Sequence, residues 1–283
     1  MKVAVIGEKS RASAWEKHLR KLSVIKEVIL SSSLFEDQNL RTVILVEDDP
    51  KTSLHLLDQS IRSGLNSFLV SRLPVDIKKL EQIYHISSEA GVTVQFSHWP
   101  SITPSTQWIR QQIQKPDLIQ IKKEVRPLNY TIDKEMFDHH WTDEVAFIVK
   151  WMGGNVHRIE AKPVILEGTP LGLSLSMRFE DASVASIQFS GFSQEERHQR
   201  LFSDQQTLID CNVLTQKMKA YRVNENKRIT VQEKAFDPSD TAEWALQQFI
   251  KSIQMKRESI FSPYDALLTA RIVEKVRNHM EKW

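Results

Sequence analysis

The residues with the clearest chemical meaning lie at the start of the chain, where an apolar run ends at a glycine. The run from Lys2 to Gly7 predicts a buried strand, and the segment from Arg11 to Leu19 predicts a helix that Ser10 is placed to cap. A strand that passes through a tight turn into a helix is typical of a dinucleotide-binding unit, because the helix N-terminus can receive a pyrophosphate. We therefore expect a nucleotide site at this turn.

The turn matches the dinucleotide-binding fingerprint only in part. The fingerprint places small residues at three positions: one for the turn, one for backbone approach to the pyrophosphate and one for helix packing. Gly7 and Ala12 satisfy the first and third positions, whereas Lys9 occupies the second. We expect the Lys9 side chain either to block the pyrophosphate or to contact a phosphate as a cation, and we favour blocking. The cofactor-binding residues predicted here are Gly7, Lys9, Ser10, Arg11 and Ala12.

Three further strand ends complete the predicted cofactor set. The second strand runs into Ser31, where an acidic residue would hold the ribose hydroxyls of NAD. A serine there is compatible with a ribose 2′-phosphate, or with no nucleotide at all. The third strand is followed by Pro50 and the fourth by Arg72, and both residues are predicted to adjoin the cofactor.

Length, charge and cysteine content limit the classes of protein to be considered. A chain of 283 residues exceeds one ordinary core and favours two domains. The net charge of +2 gives no case for a nucleic-acid partner, and no apolar stretch reaches the roughly 18–20 residues that a membrane span needs. Cys211 is the single cysteine, which excludes an intramolecular disulfide and favours a buried thiol in the reducing cytoplasm.

The order of strands and helices predicts two different sheets. Strands alternate with helices through residues 1–122, including a sixth strand at Leu118–Ile121, which predicts a Rossmann-type parallel sheet with helices on both faces. After one helix at Trp141–Met152, alternating strands from 155 to 236 predict a large open, mainly antiparallel sheet, and two helices follow. The fold class is therefore α/β followed by α+β. The predicted domains are a dinucleotide-binding domain at 1–122 and a C-terminal domain at 123–283.

Three segments, in their order along the chain, resemble those of a known family. They are Gly91–Gln95 followed by Pro104, then Phe147–Gly153, and finally Ser262–Leu267. With the succession of elements, they make the whole chain similar to the Gfo/Idh/MocA oxidoreductases. The resemblance implies NAD or NADP as cofactor and a sugar- or polyol-like small molecule as substrate. It also implies a homodimer or higher oligomer, and the alternating strands should leave a broad second face of the C-terminal sheet for this contact.

The two catalytic motifs of that family are altered in this chain. Members commonly use the lysine of a Glu-Lys-Pro motif as a proton shuttle, but the aligned residue is Arg72, whose guanidinium does not deprotonate at neutral pH. A second motif, His-x-x-Asp, has a counterpart in His140 and Asp143, about one helical turn too far from Gly153. On a helix these two residues share a face, so the aspartate could orient the imidazole. The resemblance implies catalytic roles for Arg72, His140 and Asp143.

Two functions from different classes remain open. His98 and Trp99 occupy a turn where family members carry substrate contacts, and together with His140 they favour an NAD(P)-dependent oxidoreductase with a divergent active site. The changes at Lys9 and Arg72, and the missing acid after the second strand, favour a protein that kept the fold and lost the chemistry. Such a protein would be a ligand sensor or a regulatory or structural subunit. The adjacent histidines lack a third ligand at useful spacing, so no metal site is predicted.

Overall fold

The computed structural model describes residues 1–126 and 134–282 of the chain. Its strands are β1 Lys2–Gly7, β2 Glu27–Ser31, β3 Thr42–Val46, β4 Asn66–Val70, β5 Val94–Phe96, β6 Leu118–Glu124, β7 Val156–Leu166, β8 Thr169–Phe179, β9 Val184–Ser190, β10 Arg197–Ser203, β11 Thr207–Asn212, β12 Lys217–Val223 and β13 Ile229–Ala235. Its helices are α1 Lys9–Arg20, α2 Pro50–Arg62, α3 Ile77–Ala90, α4 Trp99–Ile102, α5 Pro104–Gln112, α6 Lys134–Met152, α7 Thr241–Met255 and α8 Pro263–Met280. None of these described helices is long and apolar enough to cross a membrane.

The chain forms two compact units, each made of two separate segments. The first comprises Met1–Ile102 and Ser239–Ala270, and the second comprises Thr103–Pro238 and Arg271–Trp283. The predicted division after residue 122 differs from this one in two respects. The segment from Thr103 onward belongs to the second unit, and the chain returns to the first unit after the second sheet.

The first unit contains the predicted parallel sheet, with five strands in the order β2-β1-β3-β4-β5. Alternate residues of β1 and β3 point to opposite faces, and nearly all are buried because helices cover both. On one face, side chains of α1, α4 and α7 enclose a cluster that includes Val5, Ile44, Phe68, Leu246 and Phe249. Helix α2 packs on β3 and β4, and α3 packs on α2.

The second unit contains an eight-stranded sheet in the order β13-β12-β11-β10-β6-β9-β8-β7. All neighbouring strands are antiparallel except β6 and β9. The prediction that β6 completes the parallel sheet is wrong. In β6, Ile119 and Ile121 are buried and Gln120 between them is exposed, which is the alternation of a sheet covered on one face. The predicted mainly antiparallel sheet is confirmed, with β6 near its centre.

Helix α6 covers one face of this eight-stranded sheet. Its Trp141, Val145 and Ile148 are fully buried, and Phe147 meets Phe202 of β10 in an edge-to-face contact. The helix begins at Lys134, earlier than the predicted start at Trp141, and ends where Gly153 adopts a left-handed φ of +86°. His140 and Asp143 therefore lie inside the helix. The opposite face of the sheet carries mainly polar side chains, such as Gln120, Ser176, Ser186, Gln188, Gln199 and Asp210.

Gly7 is required by the packing of two strands. A Cβ atom at this position would lie 2.6 Å from the carbonyl oxygen of Val46, at the end of the neighbouring strand β3. We expect Gly7→Ala to lower the free energy of unfolding by about 1–3 kcal/mol, because the backbones of β1 and β3 must separate. Urea denaturation of the full chain measures this loss. Ser10→Ala, on the same turn but exposed, serves as the control and should change stability by less than ~0.5 kcal/mol.

Candidate functional site

The predicted nucleotide turn forms the start of α1, but its cap differs from the prediction. Glu8 is the N-cap residue, and its side chain makes no capping hydrogen bond. Ser10 lies inside the first turn of the helix and its hydroxyl donates to Glu8 Oε1 at 2.6 Å. The prediction that Ser10 caps α1 is therefore wrong. Lys9 is the first residue of the helix, and its side chain is exposed to solvent. Ala12 is buried beneath the turn, as its small size predicts.

This turn lies where the strand order of the parallel sheet reverses. The chain passes from β1 to β2 on one side and continues through β3 on the other, so a crevice is expected at the carboxyl ends of β1 and β3. Arg11 of α1 reaches across this position and its guanidinium donates to the carboxylate of Asp48, which follows β3. Asp48 raises the pKa of Arg11, and the charges of Glu47 and Glu8 add to that effect.

The amides and cations at this turn fit a phosphate, but the neighbouring carboxylates would repel it. The first amide groups of a helix lack intrahelical partners, and Lys9 and Arg11 add two cations beside them. The carboxylates of Glu8, Glu47 and Asp48 oppose the negative charge of a phosphate, and Asp48 already holds Arg11. A dinucleotide phosphate would therefore bind here by replacing Asp48 as the partner of Arg11.

The other predicted cofactor residues lie at the ends of neighbouring strands of the first unit. Ser31 pairs with Ile6, and its hydroxyl donates to the carbonyl oxygen of Ser33 at 2.7 Å, within its own loop. Pro50 is the first residue of α2, where the preceding Asp49 caps the helix by accepting a hydrogen bond from the Thr52 amide. Arg72, which follows β4, is exposed.

His98 and Trp99, the predicted substrate contacts, take part in the packing of the first unit. His98 is only 2% exposed; its Nδ1 lies 2.8 Å from the Ser101 hydroxyl and its ring packs on Phe261. The Trp99 ring stacks on Trp15 of α1, with the ring centroids 6.0 Å apart. These contacts support a structural role for both side chains in this arrangement.

The predicted pairing of His140 with Asp143 is wrong. Asp143 lies 3.7 Å from Nε2 of His139, one turn earlier on α6. His140 instead packs against Phe189 of β9, with ring centroids 5.4 Å apart. Burial is the main cause that lowers the pKa of His140 to about 4, and the charge of Lys123 adds to the effect. The imidazole is therefore neutral at pH 7. Burial raises the pKa of Asp143, against the opposing charges of His139 and Lys123.

Sequence reasoning missed the most tightly held charged group of the second unit, the carboxylate of Glu144. This side chain is 1% exposed, and Arg200 of β10 donates to it from Nε at 3.1 Å and from Nη2 at 2.9 Å. Nε2 of His198 lies 3.1 Å from Glu144 Oε1 as a close contact without a hydrogen bond. Lys123 of β6 lies 3.5 Å from the same oxygen and donates to the carbonyl oxygen of His140 at 3.0 Å.

The charges around Glu144 decide its ionisation. Burial opposes the charged form, but Arg200, His198 and Lys123 outweigh it and hold the pKa of Glu144 well below its usual range. Burial also lowers the pKa of His198, and it raises the pKa of the Cys211 thiol to about 11, so the predicted buried thiol is confirmed. The one available signal for Glu144 in the sequence was its position among Trp141, Val145 and Ile148, apolar residues at the spacing of one helix face. Among the described residues, no group of acids, histidines and cysteine could hold a metal ion.

Comparisons with solved structures cover the whole chain. The UDP-N-acetylglucosamine 3-dehydrogenase from Acidithiobacillus ferrooxidans aligns over 100% of this chain and 98% of its own, with a TM-score of 0.83 and 13% sequence identity. The chain has the Gfo/Idh/MocA fold. An NAD-binding oxidoreductase from Klebsiella pneumoniae shares this fold over 99% of this chain and 96% of its own (TM-score 0.81, 10% identity). Levoglucosan dehydrogenase, solved with NADH and L-sorbose, shares this fold over 100% of this chain and 97% of its own (TM-score 0.77, 10% identity).

No protein-family model and no curated protein matches the sequence. The Gfo/Idh/MocA fold is therefore recognisable here through structure, at sequence identities that carry the fold alone.

Removing one member of the Glu144 cluster should be costly. We expect Arg200→Met to lower the free energy of unfolding by about 3–5 kcal/mol, because it leaves a buried carboxylate without its bidentate partner. Chemical denaturation at neutral pH measures the loss. The matched control is Arg158→Met, since Arg158 forms an exposed ion pair with Glu160 and should contribute at most about 1 kcal/mol. Equal losses in the two variants would contradict a special role for the buried pair.

Proposed function

We propose that the protein is an NAD(P)-dependent oxidoreductase that acts on a sugar- or polyol-like small molecule with a divergent active site. The observation that supports this most is the alignment of both units, over their full length, with dehydrogenases whose structures share the fold. The fold retains a strand, turn and helix at the switch point of the first unit, and a row of titratable side chains on α6 of the second unit. The lone, buried Cys211 supports the cytoplasm as its compartment.

The residues of the first turn would hold the cofactor. Arg11 would contact its phosphates together with the amide groups at the start of α1, and Gly7 keeps that turn close to β3. The bound nicotinamide would supply the hydride acceptor or donor. Ser31, the last residue of β2, occupies the place of the acid that would hold the ribose hydroxyls of NAD, and it is compatible with the ribose 2′-phosphate of NADP.

A proton must leave the substrate hydroxyl when the hydride leaves its carbon. Arg72 cannot take this proton, because its guanidinium stays charged at neutral pH. His140 is the better candidate, since its imidazole is neutral at pH 7 and offers a ring nitrogen as proton acceptor, although its lowered pKa makes it a weak base. Asp143 and His139 would then bind or orient the substrate rather than orient His140.

A non-catalytic role is the alternative, and a specific observation favours it. The carboxylates of Glu8, Glu47 and Asp48 surround Arg11 at the place where a phosphate would bind. A protein with this fold and a weakened nucleotide site would serve as a ligand sensor or as a regulatory or structural subunit.

Cofactor titration distinguishes these roles. We expect isothermal titration calorimetry to detect NAD or NADP binding, and Arg11→Gln to weaken it about tenfold by removing a phosphate partner. Lys9→Gly should strengthen binding if Lys9 blocks the turn and weaken it if Lys9 contacts a phosphate. Arg20→Gln, at the other end of α1, is the matched control.

Catalysis is then tested with a panel of sugars and polyols by following NAD(P)H absorbance. His140→Asn should reduce kcat by about 10²–10⁴-fold with cofactor affinity unchanged. Cofactor binding without turnover of any substrate would favour the sensor role. Failure of both dinucleotides to bind would contradict the oxidoreductase proposal.

We also propose that two or more copies associate through the eight-stranded sheet. The expected broad apolar face is limited to one end of the sheet, because most of the open face is polar. There, Leu208, Tyr221 and Val231 stand in register across β11, β12 and β13, and Val223 pairs with Ile229 beside them. Ile229 is 69% exposed and Val231 53% exposed, so this apolar patch is unusually open.

Association is tested by light scattering at micromolar concentration. The wild-type chain should give the mass of a dimer or higher oligomer, and Val231→Lys should give that of a single chain, because a charge would be buried at the contact. Thr230→Lys, which alters the opposite face of β13, is the control and should leave the mass unchanged. A single-chain mass for the wild type would refute the proposal.

A further inference from the structure

A cleft of about 530 Å³ opens in the first unit, at the amino ends of strands β4 and β5 of the parallel sheet. Asn66 and Val94, the first residues of these strands, lie in its lining. One wall is the last part of α3, with Tyr84, and another is the connection from α7 to α8, with Lys256 and Tyr264. The nucleotide turn lies at the carboxyl ends of the parallel strands. A ligand in this cleft would therefore occupy a second site, at the amino ends of the parallel strands.

Lys256 holds a backbone conformation that favours glycine. It follows the last residue of α7 with a φ of +49°, in the left-handed region. Its amide donates to the carbonyl oxygen of Ile253 at 3.3 Å, and the amide of Arg257 donates to that of Ser252 at 3.1 Å, which closes the helix. Glycine commonly fills this position because a Cβ atom adds strain there. The chain thus carries a lysine where a glycine would fold with less strain.

The cations at the rim of the cleft are available to a ligand. Within the described parts of the chain, the Lys256 ammonium has no hydrogen bond or ion pair. Arg257 makes one long hydrogen bond, of 3.4 Å, to Gln248. The acid among the lining residues is Glu258, which already accepts a hydrogen bond of 2.7 Å from the Ser262 hydroxyl. The rim therefore carries more positive than negative charge.

Two aromatic rings lie next to these cations. Tyr84 is 36% exposed and Tyr264 is 45% exposed, and their ring centroids are 5.7 Å apart. Val92 and Val94 also line the cleft. Exposed aromatic rings together with aliphatic side chains favour an apolar ring in the ligand, since such surfaces gain from leaving water.

We propose that this cleft binds a small organic anion in which a phosphate or carboxylate is attached to an apolar ring. The anionic group pairs with Lys256 and Arg257, because a guanidinium and an ammonium both bind these groups. The ring lies against Tyr84 and Tyr264. This site is independent of the proposed oxidoreductase activity.

Calorimetric titration of the full chain with phenyl phosphate and phenylacetate tests the proposal. At least one of them should bind at least about tenfold more tightly than inorganic phosphate or benzyl alcohol, which carry only half of the recognised chemistry. The stronger of the two ring anions identifies the anionic group. Lys256→Gly should weaken this binding at least about tenfold while raising Tm, because it removes both the cation and the backbone strain.

Three further variants separate binding from folding. Lys256→Met keeps a side chain on the left-handed backbone, so this variant should lose binding without the gain in Tm. Lys227→Gly is the matched control, since Lys227 has a φ of +59° on an exposed turn, and it should raise Tm and leave binding intact. Arg11→Gln should also leave binding intact. The proposal is overturned if neither ring anion binds at millimolar concentration, or if folded Lys256→Gly and Lys256→Met bind as the wild type does.

Discussion

The buried ion pair between the Glu144 carboxylate and the Arg200 guanidinium is the interaction on which the second unit depends most. An ionised group with 1% of its surface exposed is costly to bury, and the two-point contact with Arg200, supported by Lys123 and His198, offsets that cost. These partners come from β6 and β10, whereas Glu144 belongs to α6. Because hydrogen bonds to a carboxylate are directional, the cluster fixes both the rotation and the axial position of the helix on the sheet. The placement of His139, His140 and Asp143 follows from this attachment.

The nucleotide turn and α6 show opposite uses of charge. At the turn, Arg11 and Asp48 meet in solvent, where an ion pair contributes little to stability and can exchange partners readily. On α6 the charges are enclosed, so they cannot exchange without unfolding part of the unit. A ligand can therefore compete for the first group of charges, while the second group holds the scaffold in one arrangement.

Much of the fold could be predicted from the hydrophobic periodicity of the sequence. The rest depends on the pairing of strands that lie far apart along the chain. The strands of the parallel sheet and the alternating strand Thr169–Phe179 were predictable, because burial on two faces or one face leaves a direct pattern in residue types. The membership of β6 was not, since its partners lie far along the chain. The site was less predictable than the fold. Asp143 pairs with His139 rather than His140, and Glu144 is defined by contacts with strands up to 56 residues away.

The discontinuous first unit has a consequence for the way the chain folds during synthesis. Leu246 and Phe249 of α7 complete the same core cluster as Val5 and Phe68 of the parallel sheet, although the second unit separates them in the sequence. A nascent chain therefore exposes part of the apolar face of the parallel sheet until α7 has emerged from the ribosome. During that interval all eight strands of the second sheet are already synthesised, while the segment Met1–Ile102 still lacks α7. Contacts of such long sequence separation slow folding and extend the period in which chaperones can bind the unfinished unit.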